Sequence, residues 1–262
     1  MKFNIHLKPS TAYFQASERV LKQLNTGAIE SASISEAMLV ETPELLKQLC
    51  PESYRYVQNL FDRGDSIYKF YEIAALGLLT THGADGYKNW VYHQSDTVRC
   101  WVAYWIAHNT GLGFAEQLRQ IEPLACDHHF WVRENACMAI RPLLLDNLKG
   151  ALSVLEKWAN SDNPHLRRFT LEITRPKGFW VTPIKAIQQH PEKARSIIEL
   201  MRNDPDRSVQ EALACWLIEA EDVKPGWSKV ILDEWLSNTY DKESSKLYKK
   251  VMASSSNSKI IK

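Results

Sequence analysis

Three charged side chains fall on one face of a predicted helix in the stretch RRFTLEITRPKGFW, residues 167–180. Arg168, Glu172 and Arg175 stand at positions i, i+4 and i+7, so a helix brings them to one side. Spacing alone favours an ordinary surface ion-pair ladder, which contributes little stability. The alternative is a carboxylate held ionised between cations at the mouth of a groove, with Arg175 available to a phosphate.

The residues after this face end the helix and supply aromatic rings. Pro176 has no backbone amide hydrogen and restricts the residue before it, so the helix should end near Arg175. Gly178, Phe179 and Trp180 then lie in a loop that could bring an indole ring over the carboxylate.

The composition is that of an ordinary globular protein. The chain has 262 residues, of which 45% are hydrophobic and 24% charged. Its net charge of +1 gives no global basic field of the kind that indicates a nucleic-acid partner. No apolar run reaches the ~20 residues of a membrane span, and the N-terminus lacks a signal-peptide pattern, so we expect a cytoplasmic protein that does not bind membranes.

No disulfide, metal site or other cofactor is expected from the sequence. The cysteines are odd in number, widely spaced and without a C-x-x-C pair, which predicts buried free thiols in a reducing compartment. They are Cys50, Cys100, Cys126, Cys137 and Cys215. His128 and His129 are adjacent and point to different faces of a helix, and neither has a partner at metal-ligand spacing. A turn at the start of a helix is the favoured interpretation of this pair.

The helix that carries the charged face belongs to an internal repeat. Four segments share an aspartate, then an aliphatic residue followed by Arg or Gln, then a helical apolar pattern. The aspartates are Asp96, Asp127, Asp162 and Asp204, and the aliphatic residues are Val98, Val132, Leu166 and Val209. The aliphatic positions are 34, 34 and 43 residues apart, a spacing typical of HEAT-like two-helix repeats stacked in a solenoid. No segment alternates with period two, so no sheet is predicted.

The aspartates and arginines of the repeat have predicted structural roles. Each aspartate should cap the helix that follows it, because its carboxylate accepts orphan amide hydrogens. The arginine one turn later should pair with that aspartate or with the next repeat, and for Arg99 we favour such a stacking role. Trp101 and Trp105, at i and i+4, are predicted to pack in the core.

Three regions are distinguished within one all-α solenoid domain. Residues 1–90 are predicted to form an N-terminal helical cap, and residues 91–240 the HEAT-like repeats. Residues 241–262 read as a mobile Ser/Lys-rich tail, with lysines that could touch phosphate.

Several of these stretches resemble one family. HLRRFTLEITRPKGFW resembles the arginine-pair, Thr-Arg-Pro and tryptophan segment of the AlkC family of bacterial DNA alkylation repair glycosylases. ACMAIRPLL, residues 136–144, and DRSVQEALACWLIEAEDVKP, residues 206–225, resemble two further elements of that family. The Phe-Trp-Val-Arg of residues 130–133 is similar to the related AlkD-type proteins. The likeness covers roughly residues 90–236, in the order and repeat spacing of the family.

The resemblance implies hydrolysis of the N-glycosidic bond of cationic alkylated bases, of the 3-methyladenine, 3-methylcytosine or 7-methylguanine type, without base flipping. Glu172, Glu219 and Trp180 match its catalytic positions. A carboxylate stabilises an oxocarbenium-like transition state, and an aromatic face attracts a cationic base. The resemblance departs at Cys137, where the family has a glutamate, and Glu134 lies one helical turn earlier.

The implied partner is double-stranded DNA containing alkylated bases, bound by a monomer associated with the nucleoid. We expect the repeats to line cations along a concave DNA-binding face. They are Arg133, Arg141, Arg167, Arg168, Arg175 and Lys177. Salt bridging between repeats is the alternative for the arginines. Two other functions stay open, namely an inactive relative that binds DNA or a protein through the same surface, and a protein-interaction scaffold.

Overall fold

A computed structural model of the chain describes residues 16–178, 183–238 and 242–257. Within these ranges every regular element is a helix and no strand occurs, which confirms the predicted all-α class. None of the helices in the described ranges is long and apolar enough to cross a lipid bilayer.

The chain divides into two compact units, residues 1–139 and 140–262. The first contains α1 (Glu18–Asn25), α2 (Ile34–Ala37), α3 (Thr42–Leu49), α4 (Pro51–Val57), α5 (Ile67–His82), α6 (Asp96–His108), α7 (Phe114–Ala125) and α8 (Phe130–Ile140, which ends at the boundary). The second contains α9 (Leu148–Ala159), α10 (Pro164–Thr174), α11 (Lys185–Gln189), α12 (Arg195–Leu200), α13 (Arg207–Val223), α14 (Trp227–Asn238) and α15 (Lys242–Asn257). Short 3-10 helices occupy Gln58–Leu60, Gly86–Asn89, Arg141–Leu145 and Pro191–Ala194.

The end of the chain differs from the predicted mobile tail. Residues 242–257 form α15, which packs against α13 and α14. Leu247 and Val251, spaced i and i+4, are buried and give this Ser/Lys-rich helix an apolar stripe. These two apolar residues, together with the buried Ser244, which accepts a hydrogen bond from Arg202 at 3.2 Å, dock a segment whose composition suggested a solvated tail.

The core of the first unit is rich in aromatic side chains. Trp101 and Trp105 of α6 are fully buried, which confirms their predicted packing role. α4 and α5 approach closely at Gly77, where a Cβ atom would lie 2.9 Å from the carbonyl oxygen of Ser53. Glycine permits this approach because it has no Cβ.

The aspartates of the repeat do not cap helices as predicted. The N-caps of α10 and α13 are Asn163 and Asp206, which follow the predicted Asp162 and Asp204. Asp96 is itself the first residue of α6, and its carboxylate accepts hydrogen bonds from the amide and hydroxyl of Ser31, at 3.1 and 2.6 Å. A carboxylate that is engaged across the fold is not available to its own helix.

Two of these aspartates instead bind the arginine of the preceding repeat. Arg99 donates to both oxygens of Asp127, at 2.8 Å from Nε and 3.0 Å from Nη2. Arg167 donates to both oxygens of Asp204, at 2.6 Å from Nε and 2.8 Å from Nη2. The predicted pairing between repeats is confirmed for both, and its two-pronged geometry uses the planar guanidinium fork.

Arg99 and Arg167, and also Arg133, bind the turn that precedes their own helix. In each case Nη1 donates to the backbone carbonyls six and five residues earlier. The pairs are Arg99 with His93 and Gln94, Arg133 with Asp127 and His128, and Arg167 with Ser161 and Asp162. In each turn the guanidinium thus binds backbone carbonyl groups and not side chains.

Candidate active site

The helix that carries Glu172 begins and ends as its sequence requires. The side chain of Asn163 caps α10 by accepting from the His165 amide at 2.9 Å, and Pro164 occupies the first turn. Arg175 leaves the helical conformation, with ψ of 134°, directly before Pro176. The predicted end of the helix is confirmed.

Glu172 has one arginine on each carboxylate oxygen. Arg168 Nη2 lies 3.3 Å from Oε1, and Arg175 Nη1 lies 3.0 Å from Oε2. The Glu172 side chain is 14% exposed and that of Arg168 is 35% exposed. The predicted shared face is confirmed, and the partly exposed carboxylate lies between two guanidinium groups.

Glu219 of α13 is bound by the loop that follows α10. Its Oε1 accepts from Nε of Arg175 at 3.0 Å and also from Nη2 of the same side chain. Its Oε2 accepts from the backbone amides of Lys177 and Gly178, at 2.9 and 3.0 Å. Gly178 has φ of +66°, a left-handed conformation that favours glycine. Both oxygens of Glu219 are therefore occupied in shaping the loop, which is a positioning arrangement.

Arg175 joins the two glutamates. Burial alone would lower the pKa of Arg175, but the carboxylates of Glu172 and Glu219 together raise it above its ordinary value. The guanidinium stays charged and fixes the distance between the two carboxylates. Its side chain is 17% exposed.

Arg141 does not lie on a surface, contrary to the predicted DNA contact. Its side chain is buried, and Nη1 donates to the carbonyls of Glu172 and Ile173, at 3.3 and 2.7 Å. Nη2 donates to the carbonyl of Arg175 at 2.6 Å. The cation satisfies orphan carbonyls at the negative end of α10 and so anchors the end that carries Glu172. The sequence held a signal for this role, since Arg141-Pro142 precedes Arg175-Pro176 by 34 residues, the interval of the repeat.

The other residues predicted to contact DNA differ in how far their side chains are exposed to solvent. Arg167 is largely buried against Asp204, which matches the alternative of salt bridging between repeats. Arg133 is half-buried and donates to its own turn. Lys177 is more exposed and lies 2.9 Å from Asp222. Arg168 and Lys177 therefore present the more accessible cations of this set.

The remaining residues singled out from the sequence are an aromatic pair, one cysteine and a histidine pair. Trp180, predicted to stack on a cationic base, lies outside the described residues, as does Phe179. Cys137, which stands where a glutamate was expected, is buried in α8 of the first unit. His128 and His129 lie at the turn before α8, as expected, and His128 binds the carboxylate of Glu30, at 2.7 and 2.9 Å from its oxygens.

The model of one protein family matches residues 135–253, and that family is described as DNA alkylation repair enzyme. The match includes every residue of the Glu172–Glu219 cluster. Residues 135–253 are therefore similar to the DNA alkylation repair enzyme family.

Solved structures with a similar fold come from two bacteria. The first is the alkylpurine DNA glycosylase AlkC of Pseudomonas fluorescens, bound to DNA containing an abasic site analog. It is 18% identical with a TM-score of 0.62, over 84% of this chain and 61% of AlkC. AlkD2 from Streptococcus mutans is 20% identical with a TM-score of 0.59, over 76% of this chain and 97% of AlkD2.

These likenesses confirm the helical-repeat fold and the resemblance to AlkC- and AlkD-type proteins, and they separate the two types only weakly. Among curated proteins, the uncharacterized protein YhaZ of Bacillus subtilis (strain 168) is 28% identical over 97 residues, which are 37% of this chain and 27% of YhaZ. The chain therefore spans about three-fifths of AlkC, and its match covers about a quarter of YhaZ.

Proposed function

We propose that the protein is a DNA glycosylase of alkylation repair that hydrolyses the N-glycosidic bond of cationic alkylated bases in duplex DNA. The observation that carries this proposal is Glu172, held between Arg168 and Arg175 within the segment that matches the repair family. The similarity in fold to AlkC, a glycosylase bound to DNA, supports the same substrate class.

The chemistry suits an ionised carboxylate. An alkylated base such as 3-methyladenine, 3-methylcytosine or 7-methylguanine carries a positive charge, so it leaves with the electron pair of the glycosidic bond and becomes neutral. Positive charge develops on the sugar as the bond breaks, and a nearby carboxylate stabilises it. Water then adds to the anomeric carbon and loses a proton to solvent, and in this proposal Glu172 orients that water. A base that remains in the duplex needs no deep pocket.

The arginines around Glu172 have a second role in this proposal. Arg168 is the more exposed partner of Glu172 and has the longer contact. A DNA phosphate would compete for Arg168, since a guanidinium binds phosphate as well as carboxylate. Binding of the backbone would then leave Oε1 of Glu172 facing the sugar. Lys177 is the second proposed phosphate contact.

Glu219 and Trp180 have different roles in this proposal. Glu219 holds the amides of Lys177 and Gly178, so it positions the residues that lead to Trp180. Trp180 supplies the aromatic face for the cationic base. We further propose that the protein acts as a monomer at the nucleoid, where its substrate lies.

The test is base release from methylated duplex DNA, measured by mass spectrometry. Glu172→Gln should reduce release by about 100-fold or more, because it removes the charge that stabilises the transition state. Duplex affinity should change by less than about threefold, since no phosphate contact is lost. Glu211→Gln, a surface carboxylate of α13, is the matched control and should behave as wild type. Equal release by Glu172→Gln and wild type would contradict the proposed role.

A second candidate function is favoured by Cys137. A buried thiol cannot supply the negative charge of the expected glutamate, which suits a relative that binds DNA without cleaving the glycosidic bond. This candidate predicts salt-sensitive duplex binding with no base release from any methylated substrate. Absence of both binding and release would instead favour a protein-interaction scaffold.

A further inference from the structure

A cysteine, a glutamate and a histidine converge in the first unit, in a cluster that the proposed function does not use. Cys50 lies between α3 and α4, Glu52 is in the first turn of α4, and His82 is the last residue of α5. Sγ of Cys50 lies 2.9 Å from Nε2 of His82 and 3.3 Å from Oε1 of Glu52. The three potential ligand atoms all lie within 4.8 Å of one another.

The surrounding structure holds these side chains in place. Ser53 donates a hydrogen bond to Sγ of Cys50 at 3.0 Å, and its hydroxyl lies 2.6 Å from that of Thr81 on α5. The close approach of α4 and α5 at Gly77 fixes the distance between the two helices. Preorganised ligands with partners of their own are what metal sites require.

The histidine ring is oriented by aromatic neighbours. The rings of Trp90 and Trp105 lie 6.0 and 6.1 Å from the ring of His82. Trp105 Nε1 also donates to the carbonyl of Gly83, the residue that ends α5, at 3.1 Å. The imidazole therefore presents Nε2 to Cys50 from a packed position, while its own residue remains exposed to solvent.

We propose that Cys50, Glu52 and His82 bind a zinc ion. A thiolate and an imidazole are soft and borderline ligands that disfavour magnesium and calcium and suit Zn²⁺. Three protein ligands leave a fourth tetrahedral position, which opens to solvent because Glu52 and His82 are exposed while Cys50 is buried. Tetrahedral zinc places sulfur and nitrogen ligands about 3.5 Å apart, so Cys50 and His82 need to separate by about half an ångström.

Binding at this site has a definite proton balance. The thiol of Cys50 loses its proton to solvent when sulfur binds the metal, while a neutral imidazole and an ionised carboxylate bind without further loss. The ion joins the start of α4 to the end of α5. The sequence did not predict it, because the ligands are separated by 1 and 29 intervening residues and match no local zinc motif.

Cobalt substitution tests the site directly. Reduced, metal-free protein is titrated with Co²⁺, and the thiolate-to-cobalt charge-transfer absorption is followed before Zn²⁺ displaces it. Wild type should bind one ion per chain with this absorption, and Cys50→Ser should lose it. Cys126→Ser, which removes a thiol of the same unit outside the cluster, is the control and should retain it. Absence of the absorption in wild type, or its persistence in Cys50→Ser, would overturn the proposal.

A substitution at an exposed ligand tests zinc binding separately from folding. Glu52→Gln changes an exposed side chain, so the metal-free variant should melt as metal-free wild type does. Its zinc affinity should fall by about tenfold or more, and zinc should raise its melting temperature less than that of wild type. Glu192→Gln, which alters a glutamate beside His190 without a thiol, should leave affinity unchanged. Equal zinc affinity in Glu52→Gln and wild type would show that the carboxylate is not a ligand and so overturn the three-ligand site.

Discussion

Two clusters of arginines and carboxylates, one in each unit, have opposite layouts. In the first unit a cation is at the centre, since Arg99 binds the carboxylates of Glu30 and Asp127. In the second unit a carboxylate is at the centre, since Glu172 is bound by Arg168 and Arg175. The side chain of Arg99 is 4% exposed, against 35% for Arg168.

The difference in exposure between Arg99 and Arg168 indicates which cluster can exchange an ion-pair partner. All three guanidinium nitrogens of Arg99 donate within the protein, and burial removes them from solvent. Such a cluster is closed and has a structural role. Glu172 has a partly exposed arginine on one side, and this is the contact that the proposed phosphate would take over. Whether a cluster can exchange a partner therefore depends more on the identity and exposure of its central group than on the number of its ion pairs.

The largest expected effect comes from removing the buried central cation. Arg99→Ala leaves the buried carboxylate of Asp127 without its arginine, so the free energy of unfolding should fall by about 3–5 kcal/mol. Urea unfolding followed by circular dichroism measures this change. Arg207→Ala, at a highly exposed arginine, is the control and should change stability by less than about 0.5 kcal/mol. A loss at Arg99 as small as that of the control would remove the distinction between the clusters.

A smaller loss of stability is expected when a substitution keeps the positive charge but removes the forked guanidinium. Arg167→Lys retains a cation beside Asp204 but cannot bind both oxygens and the turn carbonyls together, which should cost about 1–3 kcal/mol. The same unfolding measurement applies. A lysine variant as stable as wild type would mean that charge alone holds the repeats together.

The closed cluster should also respond to acid through Glu30. Burial tends to raise the pKa of Glu30, but hydrogen bonds from His128 and Arg99 outweigh it and leave that pKa below its ordinary value of 4.5. The stabilisation is therefore fully present above pH 4.5 and is lost as the pH falls through the lowered folded-state pKa. Stability curves of wild type and Glu30→Gln should converge over that acidic range. A difference that stays constant as the pH falls below 4.5 to the point of acid unfolding would contradict the linkage.

The smallest expected effect on stability is at the open cluster. Arg168→Ala removes a partly exposed pair and should cost less than about 1 kcal/mol. It should nevertheless weaken duplex binding and lower the log-log salt slope by about one, since one proposed phosphate contact is lost. Fluorescence anisotropy over a range of salt concentrations measures this. An unchanged slope would mean that Arg168 contacts no phosphate and belongs to an ordinary surface ion-pair ladder.

Local patterns predicted much of the fold and part of the site. Pro176 ended α10 where expected, because proline acts on its immediate neighbours. The shared face of Arg168, Glu172 and Arg175 followed from helical spacing, and the burial of Trp101 and Trp105 from their place in an apolar pattern.

Contacts between distant residues could not be predicted in the same way. The aspartates of the repeat were expected to cap helices, but arginines one repeat away engage two of them. Glu219 was matched to a catalytic position, whereas the loop amides it binds lie 41 and 42 residues earlier in the chain. Arg141 was placed on the surface because successive repeats were expected to line their cations along one face. Its burial depends on the carbonyl groups at the end of α10, which lie 31, 32 and 34 residues later in the chain.

Three arginines bind the backbone carbonyl groups of the turns before their helices, and this has a consequence for how the sequence of those turns can vary. Arg99, Arg133 and Arg167 contact main-chain oxygens that every amino acid possesses. Substitution in those turns therefore removes no contact to the guanidinium, provided that the backbone path is kept. Turns as different as HQSD, DHHF and SDNP can occupy equivalent places, and each is free to acquire its own surface chemistry while the stacking of the helices is kept.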